Sequence, residues 1–404
     1  MVRQWDTATI GDFLDFKNGL NKGKEFFGYG TPIVNYTDVY KKRGLKKADI
    51  RGRVYLTPDE IHRFDVRKND VFFTRTSETP NEVGMSSVLL EDVENGVFSG
   101  FVLRGRPKND MFVPEYCKYC FSAETVRNAI ITGCTYTTRA LTNGKQLSAI
   151  EILVPPKPEQ EAIAAALTDI DALIANLEKL IAKKKAIKQG AMQELLTGKR
   201  RLPGFTDEWK INRIGAFGEF VSGSCFPLSY QGKQGERYPF YKVSDFNNPG
   251  NEHNLNRANN YISQDIADYL GCKVIPEQAI VIAKIGAAIF LERKKLTSAY
   301  CCIDNNMMAF VPFNARSAQF IYYVFQNMKL GKLAEATALP SLSGKKICSV
   351  ERRFPQTIEE QVSIATVLAD MDSEIDVLSK KLNKYRMIKA GMMNELLTGR
   401  IRLL

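Results

Sequence analysis

The sequence predicts two globular domains of α/β (α+β) class, alike in frame but not in detail. Each is followed by one long α-helix, and the two helices pair as an antiparallel coiled coil in a pseudo-twofold tandem repeat. Three observations predict this: a gapless repeat that closes each half of the chain, an apolar stripe at helical spacing along each repeat, and short strand-like runs in the remainder.

The repeat sets the frame. Glu159-Gln160 through Arg201-Leu202 aligns with Glu360-Gln361 through Arg402-Leu403 without a gap, and about half of the positions are identical. Both copies end in Glu-Leu-Leu-Thr-Gly, at Glu194 to Gly198 and Glu395 to Gly399, and both follow a proline break, Pro155-Pro156 and Pro355. The preceding segments share a weaker frame: Trp5, Ile10, Gly11, Phe13, Phe16 and Gly19 match Trp209, Ile214, Gly215, Phe217, Phe220 and Gly223. The expected order is a domain over 1–155, a helix within 156–203, a domain over 204–355 and a helix within 356–404. A chain of 404 residues is long enough to bury more than one core.

Within the first repeat Ile163, Ala166, Ile170, Leu173, Leu177, Leu180 and Ile187 fall on a and d heptad positions, with Leu167, Ile174 and Ile181 widening the stripe. The second has Ile364, Val367, Met371, Leu378, Tyr385 and Ile388, plus Leu368, Ile375 and Leu382. Pro158 suits the first helical turn, Thr357 with Glu360 forms a capping-box pattern, and Gly198 and Gly399 suit left-handed C-terminal positions. Acidic residues lie early and basic ones late, which complements the helix dipole. Two stripes of about 60 Å each require a partner, and each other is the nearest one.

Identity beyond the stripe, at Lys179/Lys380, Lys188/Lys389 and Glu194/Glu395, is not explained by the seam. We read it as two equivalent surfaces for two copies of one partner. The candidate partner-binding residues are Glu159, Gln160, Lys188, Glu194 and Leu195, with Glu360, Gln361, Lys389, Glu395 and Leu396.

In the domains, Val71 to Thr74 and Ile280 to Ala283 read as buried strands that lead into polar or basic loops. Loops on a rigid scaffold are where base readout usually sits. The candidates for DNA contact are Asn35, Tyr36 and Thr37; Arg75, Thr76 and Ser77; Tyr136, Thr138 and Arg139; and in the second copy Lys242, Ser244, Lys284, Ser341 and Ser343. Lys41, Lys42 and Arg43, with Lys46, Lys47, Arg51 and Arg53, form a basic segment suited to phosphates. A net charge of +11 favours a polyanionic partner.

Composition excludes several classes. No apolar run is long enough for a membrane helix, and Asp6, Asp12 and Asp15 stand where a signal peptide needs a basic start, so a cytoplasmic location is expected. Eight cysteines then read as reduced thiols. Cys117 and Cys120 have zinc-like spacing, but a closed site needs two further ligands, and the chain holds only two histidines, His62 and His253. No metal and no cofactor are expected. Gly-Lys pairs are nowhere followed by Ser or Thr, so no P-loop is present, and Pro155-Pro156 lacks the flanks of a methyltransferase motif. Pro276-Glu277 with Glu292-Arg293-Lys294 imitates a nuclease carboxylate set but lacks a counterpart in the first half.

On these residues the chain resembles the specificity subunits of Type I restriction-modification systems, over its whole length. The Glu-Leu-Leu-Thr-Gly strings and the Pro155-Pro156, Glu159-Gln160 helix start carry the likeness; the second start departs from it, with Arg352-Arg353 ahead of Phe354-Pro355. The resemblance implies a reader without catalytic activity. Each target-recognition domain would contact one half of a split, asymmetric site in double-stranded DNA, while the helices set the gap and dock two methyltransferase (modification) subunits. It leaves open whether restriction or translocase subunits join the complex. The alternative is a duplicated coiled-coil scaffold whose basic domains bind another protein or RNA.

Overall fold

The computed structural model describes residues 5–335 and 338–403. The chain forms two compact units, residues 1–179 with 380–404 and residues 180–379. Each unit therefore holds one domain, the first half of the helix that follows it and the second half of the other helix.

In the first unit a five-stranded sheet runs in the order Leu14–Asn18, Val102–Pro107, Val71–Thr74, Ser86–Leu89, Gly44–Leu45. The first three pairings are antiparallel and the last is parallel. Val71–Thr74 is central and buried at all four positions, as the apolar run Val71 to Phe73 predicts for a strand covered on both faces. The second unit repeats the order and the directions with Gly218–Ser222, Met307–Pro312, Ile280–Ala283, Lys294–Thr297 and Asn254–Leu255. Each domain is closed by pairing its first strand with its last: Asp6–Thr9 lies against Glu151–Val154, and Lys210–Arg213 against Glu351–Phe354.

The long helices span Lys157–Leu195 and Ile358–Leu396, 39 residues each. They pair antiparallel in both units. In the first, Asp171 meets Lys389 and Glu178 meets Arg386; in the second, Lys184 meets Glu374 and Lys188 meets Asp372. In both sets the partner number falls as the residue number rises. The helix ends follow expectation, with Gly198 and Gly399 both at φ 72°.

The stripe is shifted from the heptad assignment. Leu180, Ile187 and Ile388 were placed in the seam and are exposed, whereas Leu167, Ile181, Leu368, Ile375 and Leu382 are buried. A straight helix turns by 3.6 residues, so a strict 3.5-residue pattern drifts off the covered face along its length. The covered positions alternate steps of four and three through Ile163, Leu167 and Ile170, and again through Leu177 and Ile181.

The helices also finish the domain cores. Ile163 and Leu167 join Phe13, Phe73, Tyr119 and Phe121 in one cluster, together with Leu396 and Leu397. Ile364 and Leu368 join Trp209, Phe310, Phe320 and Phe325, together with Leu195 and Leu196. Fully burying side chains of this size stabilises by about 1.5–3 kcal/mol each, so these helices are part of each domain's own stability.

Candidate nucleic-acid interface

Several of the repeated polar residues of the helices face inward. Glu159 is fully buried; its carboxylate accepts a hydrogen bond from Trp5 Nε1 at 2.8 Å and a two-pronged one from the Arg402 guanidinium, 2.6 Å at each oxygen. Glu360 repeats the arrangement with Trp209 at 3.2 Å and Arg201 at 2.6 and 2.9 Å. Burial raises the Glu159 carboxyl, but the Arg402 and Trp5 hydrogen bonds outweigh it and hold the group below the usual glutamate range. Glu360 is thus committed to Arg201, and of its capping box only the contact from its amide to Thr357 Oγ1 forms, at 3.4 Å.

Gln160 and Gln361 are buried beside their proline carbonyls: Gln160 Nε2 donates to Pro155 O at 2.8 Å and Gln361 Nε2 to Pro355 O at 3.2 Å. Asp372 takes Lys188 at 2.5 Å and the Tyr323 hydroxyl at 2.9 Å. Asp171 takes Lys389 and, at 2.9 Å, the Tyr119 hydroxyl. Burial, ahead of the neighbouring aspartate, pushes the Tyr119 hydroxyl up to about 12 and raises that of Tyr323. Leu195 and Leu396 are core residues. Of the ten partner-binding candidates only Glu194 and Glu395 keep their side chains at the surface, each beside an arginine at 3.3 Å, Arg200 and Arg400. Identity between repeats marks these residues, but most of it serves anchoring within the chain.

The DNA-contact candidates of the first domain converge far better. The strand Val71–Thr74 delivers Arg75, whose amide donates to Phe101 O at 3.0 Å and whose carbonyl accepts from Thr142 N at 3.0 Å. Thr76–Ser77 then pairs with Ala140–Leu141, which pairs in turn with Thr135–Tyr136. This small sheet brings two separate sequence segments, Thr76–Ser77 and the hairpin 135–141, to one edge. A depression of about 380 Å³ opens there, lined by Tyr36, Thr76, Ser77, Glu78, Glu82, Phe101 and Arg139. Tyr136 and Thr138 stand exposed on the adjoining hairpin. Tyr36 stacks on Tyr40 with centroids 5.8 Å apart, and Glu82 is fixed by the Tyr40 hydroxyl at 2.7 Å and Ser77 Oγ at 3.1 Å. Those two hydrogen bonds hold the Glu82 carboxyl below its ordinary range. Asn35 precedes the helix Tyr36–Lys41, its amide held by Asp38 at 2.9 Å, and Thr37 is exposed on that helix.

The second domain builds the same edge from other residues. The Lys284 carbonyl accepts from Leu342 N at 2.9 Å, as that of Arg75 does from Thr142. Ile285 bridges Ser341, and Gly286 N donates to Pro340 O at 2.7 Å. Lys284 and Ser341 therefore meet. Ser343 sits beside them as a helix cap, its hydroxyl accepting from Lys346 N at 3.4 Å. Lys242 and Ser244 lie at the other domain segment that corresponds to Asn35 to Thr37; Lys242 Nζ reaches Gln231 at 3.0 Å and Ser244 is exposed.

The basic segment divides. Lys41, Lys46, Lys47 and Arg51 are exposed, Lys42 pairs with Asp49, and Arg53 turns onto the carbonyls of Ile50 and Gly52 at 3.0 and 2.8 Å. Arg43 is a correction: its guanidinium lies over the Tyr119 ring at 5.8 Å and its Nη1 contacts Met393 sulfur at 3.5 Å, so it packs inward where a phosphate contact was expected.

Sequence reasoning missed Phe101, which is 61% exposed beside Arg75, and the acidic pair Glu78 and Glu82. A Gly100-Phe101 turn after a buried strand was a readable signal for Phe101; acids in a basic protein were not. The nuclease-like set has a structural use, since Lys294 is buried against Glu292 at 2.7 Å and Met328 O at 2.9 Å. Cys117 and Cys120 are buried, and no group of three metal-binding side chains occurs among the described residues. No described helix is long and apolar enough to cross a membrane.

The chain matches the family of the Type I restriction modification DNA specificity domain twice, over residues 3–189 and 206–385. It is 22% identical over 421 residues to the Type I restriction enzyme MjaVIII specificity subunit of Methanocaldococcus jannaschii, covering 98% of this chain and 93% of that one. It is 26% identical over 185 residues to the EcoKI specificity subunit of Escherichia coli, covering 45% of this chain and 39% of that one. The crystal structure of the Type I restriction-modification S subunit from M. genitalium superposes with a TM-score of 0.59 at 16% identity, covering 97% and 96% of the two chains. A doubled family match that falls on the two halves of an internally repeated chain leaves one assignment: the protein belongs to the specificity subunits of Type I restriction-modification systems, their non-catalytic DNA-specificity component.

Proposed function

We propose that the chain reads a bipartite, asymmetric target in double-stranded DNA, one half-site per domain, and that its helices dock two methyltransferase subunits. One observation carries this reading. Both domains lead a central strand into a loop that meets a later segment of the domain at the same point of the same topology, yet they fill the tip with different side chains: Arg75, Thr76 and Ser77 against Lys284, Ile285 and Gly286. A shared scaffold with unshared tips is what two unlike half-sites require. In this proposal the recognition domains span residues near 1–155 and 204–355.

For the partner, the helix positions that are identical in both repeats and exposed in both include Asp169/Asp370, Lys179/Lys380, Lys183/Lys384 and Ile187/Ile388, near Glu194/Glu395. They replace the buried residues as the proposed docking surface. The complex works on DNA in the cytoplasm and can include restriction or translocase subunits.

The test is a base-resolution map of adenine methylation with and without the gene. Loss of one bipartite motif with a fixed gap supports the proposal. An unchanged map in cells that express both the chain and its methyltransferase removes sequence reading and leaves a scaffold.

A further inference from the structure

We infer that Glu78 and Arg139 together read one G·C base pair in the half-site of the first domain, Arg139 donating to guanine and Glu78 accepting from cytosine. The inference rests on the sequence-reading proposal and names the chemistry of its first site.

The register places the two side chains. Leu141 opposes Thr76 and Ala140 opposes Ser77 in an antiparallel ladder, and Arg139 and Glu78 are the residues that directly adjoin its last pair, one on each strand. Ser77 and Ala140 are buried; Glu78 and Arg139 are exposed, and both line the 380 Å³ depression. Opposite charges at the same end of a ladder ordinarily close into an ion pair. Here neither side chain has an ion-pair or hydrogen-bond partner among the described residues, so the donor fork and the acceptor both remain available.

Charge separates base reading from backbone contact. A carboxylate beside a phosphate is repelled, so an unpaired glutamate at a DNA-facing edge of a chain with net charge +11 is unsuited to the backbone. It is suited to the one strong donor that cytosine shows in the major groove, its N4 amino group, while arginine takes guanine O6 and N7. Both edges belong to one base pair. Glu82 is occupied by Tyr40 and Ser77 and so supports the site without competing for Arg139.

The second domain supplies the contrast. There Ile285 bridges Ser341 as Thr76 opposes Leu141, and the residues two positions further on are Ala287, which opens a short helical turn, and Leu339. Charged residues in one unit and apolar ones in the other, at the same count from an equivalent bridge, are the pattern of a specificity position. A scaffold position would repeat, as Trp5/Trp209 does.

The experiment uses the full chain purified with the methyltransferase subunits it assembles with. It selects bound duplexes from two pools, each randomised in one half-site, for the wild type, Glu78→Gln and Arg139→Ala. The expected result is a roughly ten- to hundred-fold loss of discrimination at one G·C pair of the first half-site, the same pair for both variants, with the second half-site profile unchanged. Equal weakening on all sequences, relaxation at two different pairs or an unchanged profile overturns the inference. A wild-type complex that enriches no sequence overturns the sequence-reading proposal itself, which separates the two failures. Both side chains are exposed, and matching melting temperatures check that the variants fold.

Discussion

Arg402 closes on Glu159 with two hydrogen bonds of 2.6 Å, joining residues 243 positions apart in the chain within one unit. Arg201 and Glu360 do the same in the other unit. Because both glutamates are buried, removing the arginine strands a carboxylate away from water. Arg201→Ala is expected to cost about 3–5 kcal/mol, and Arg402→Ala to lower stability in the same direction. Denaturant titration measures it, and a loss below 1 kcal/mol would show that water reaches the carboxylate.

The same pair gives a pH dependence. The folded-state pKa of Glu159 lies below its ordinary value of 4.5, so the pair adds stability above that pH and loses it as pH falls toward the folded value. Glu159→Gln should therefore flatten the acid side of the stability curve and leave the slope between pH 6 and 8 unchanged. Melting temperatures across that range test the sign.

Arg75 stands beside Phe101 with only a long contact from its Nη1 to Gly100 O at 3.5 Å. Its guanidinium is free to turn to a base edge. Arg75→Ala should relax the first half-site alone, by about 1–3 kcal/mol at one position. Uniform weakening on every sequence would reassign Arg75 to phosphate.

Lys41 and Lys47 are exposed on the same domain. If they hold phosphates, Lys41→Ala and Lys47→Ala each lower the slope of log affinity against log salt by about 1, without altering sequence preference. Titrations at several salt concentrations read this directly.

Ile187 and Ile388 are equivalent, exposed by 48% and 39%, and apolar. Ile187→Asp should abolish docking of one methyltransferase subunit and Ile388→Asp the other, with folding intact. Native mass spectrometry would then find one partner per chain in each single variant and none in the double; two in every case removes this face.

The fold was legible because a gapless repeat fixes order and length at once, and because Val71 to Phe73 and Ile280–Ala283 are unbroken apolar runs. The helix seam was legible only to within one position, since heptad spacing and the 3.6-residue turn diverge along 39 residues. Sequence identity singled out Glu159 and Glu360 but could not tell an inward-facing residue from an outward-facing one. That distinction depends on Trp5, Trp209, Arg201 and Arg402, which lie far away in sequence. Arg75, Thr76 and Arg139 were found from loop chemistry, whereas Glu78 became visible only once the ladder set it at the same end as Arg139.

Trp5 and Arg402 share one carboxylate, as Trp209 and Arg201 share another, but only the second couple is joined by a short stretch of chain. The covalent order of the two units is therefore largely arbitrary. A circular permutant that links position 402 to position 5 with a connector of the same length, and opens the chain between 201 and 209, keeps every anchoring contact described above.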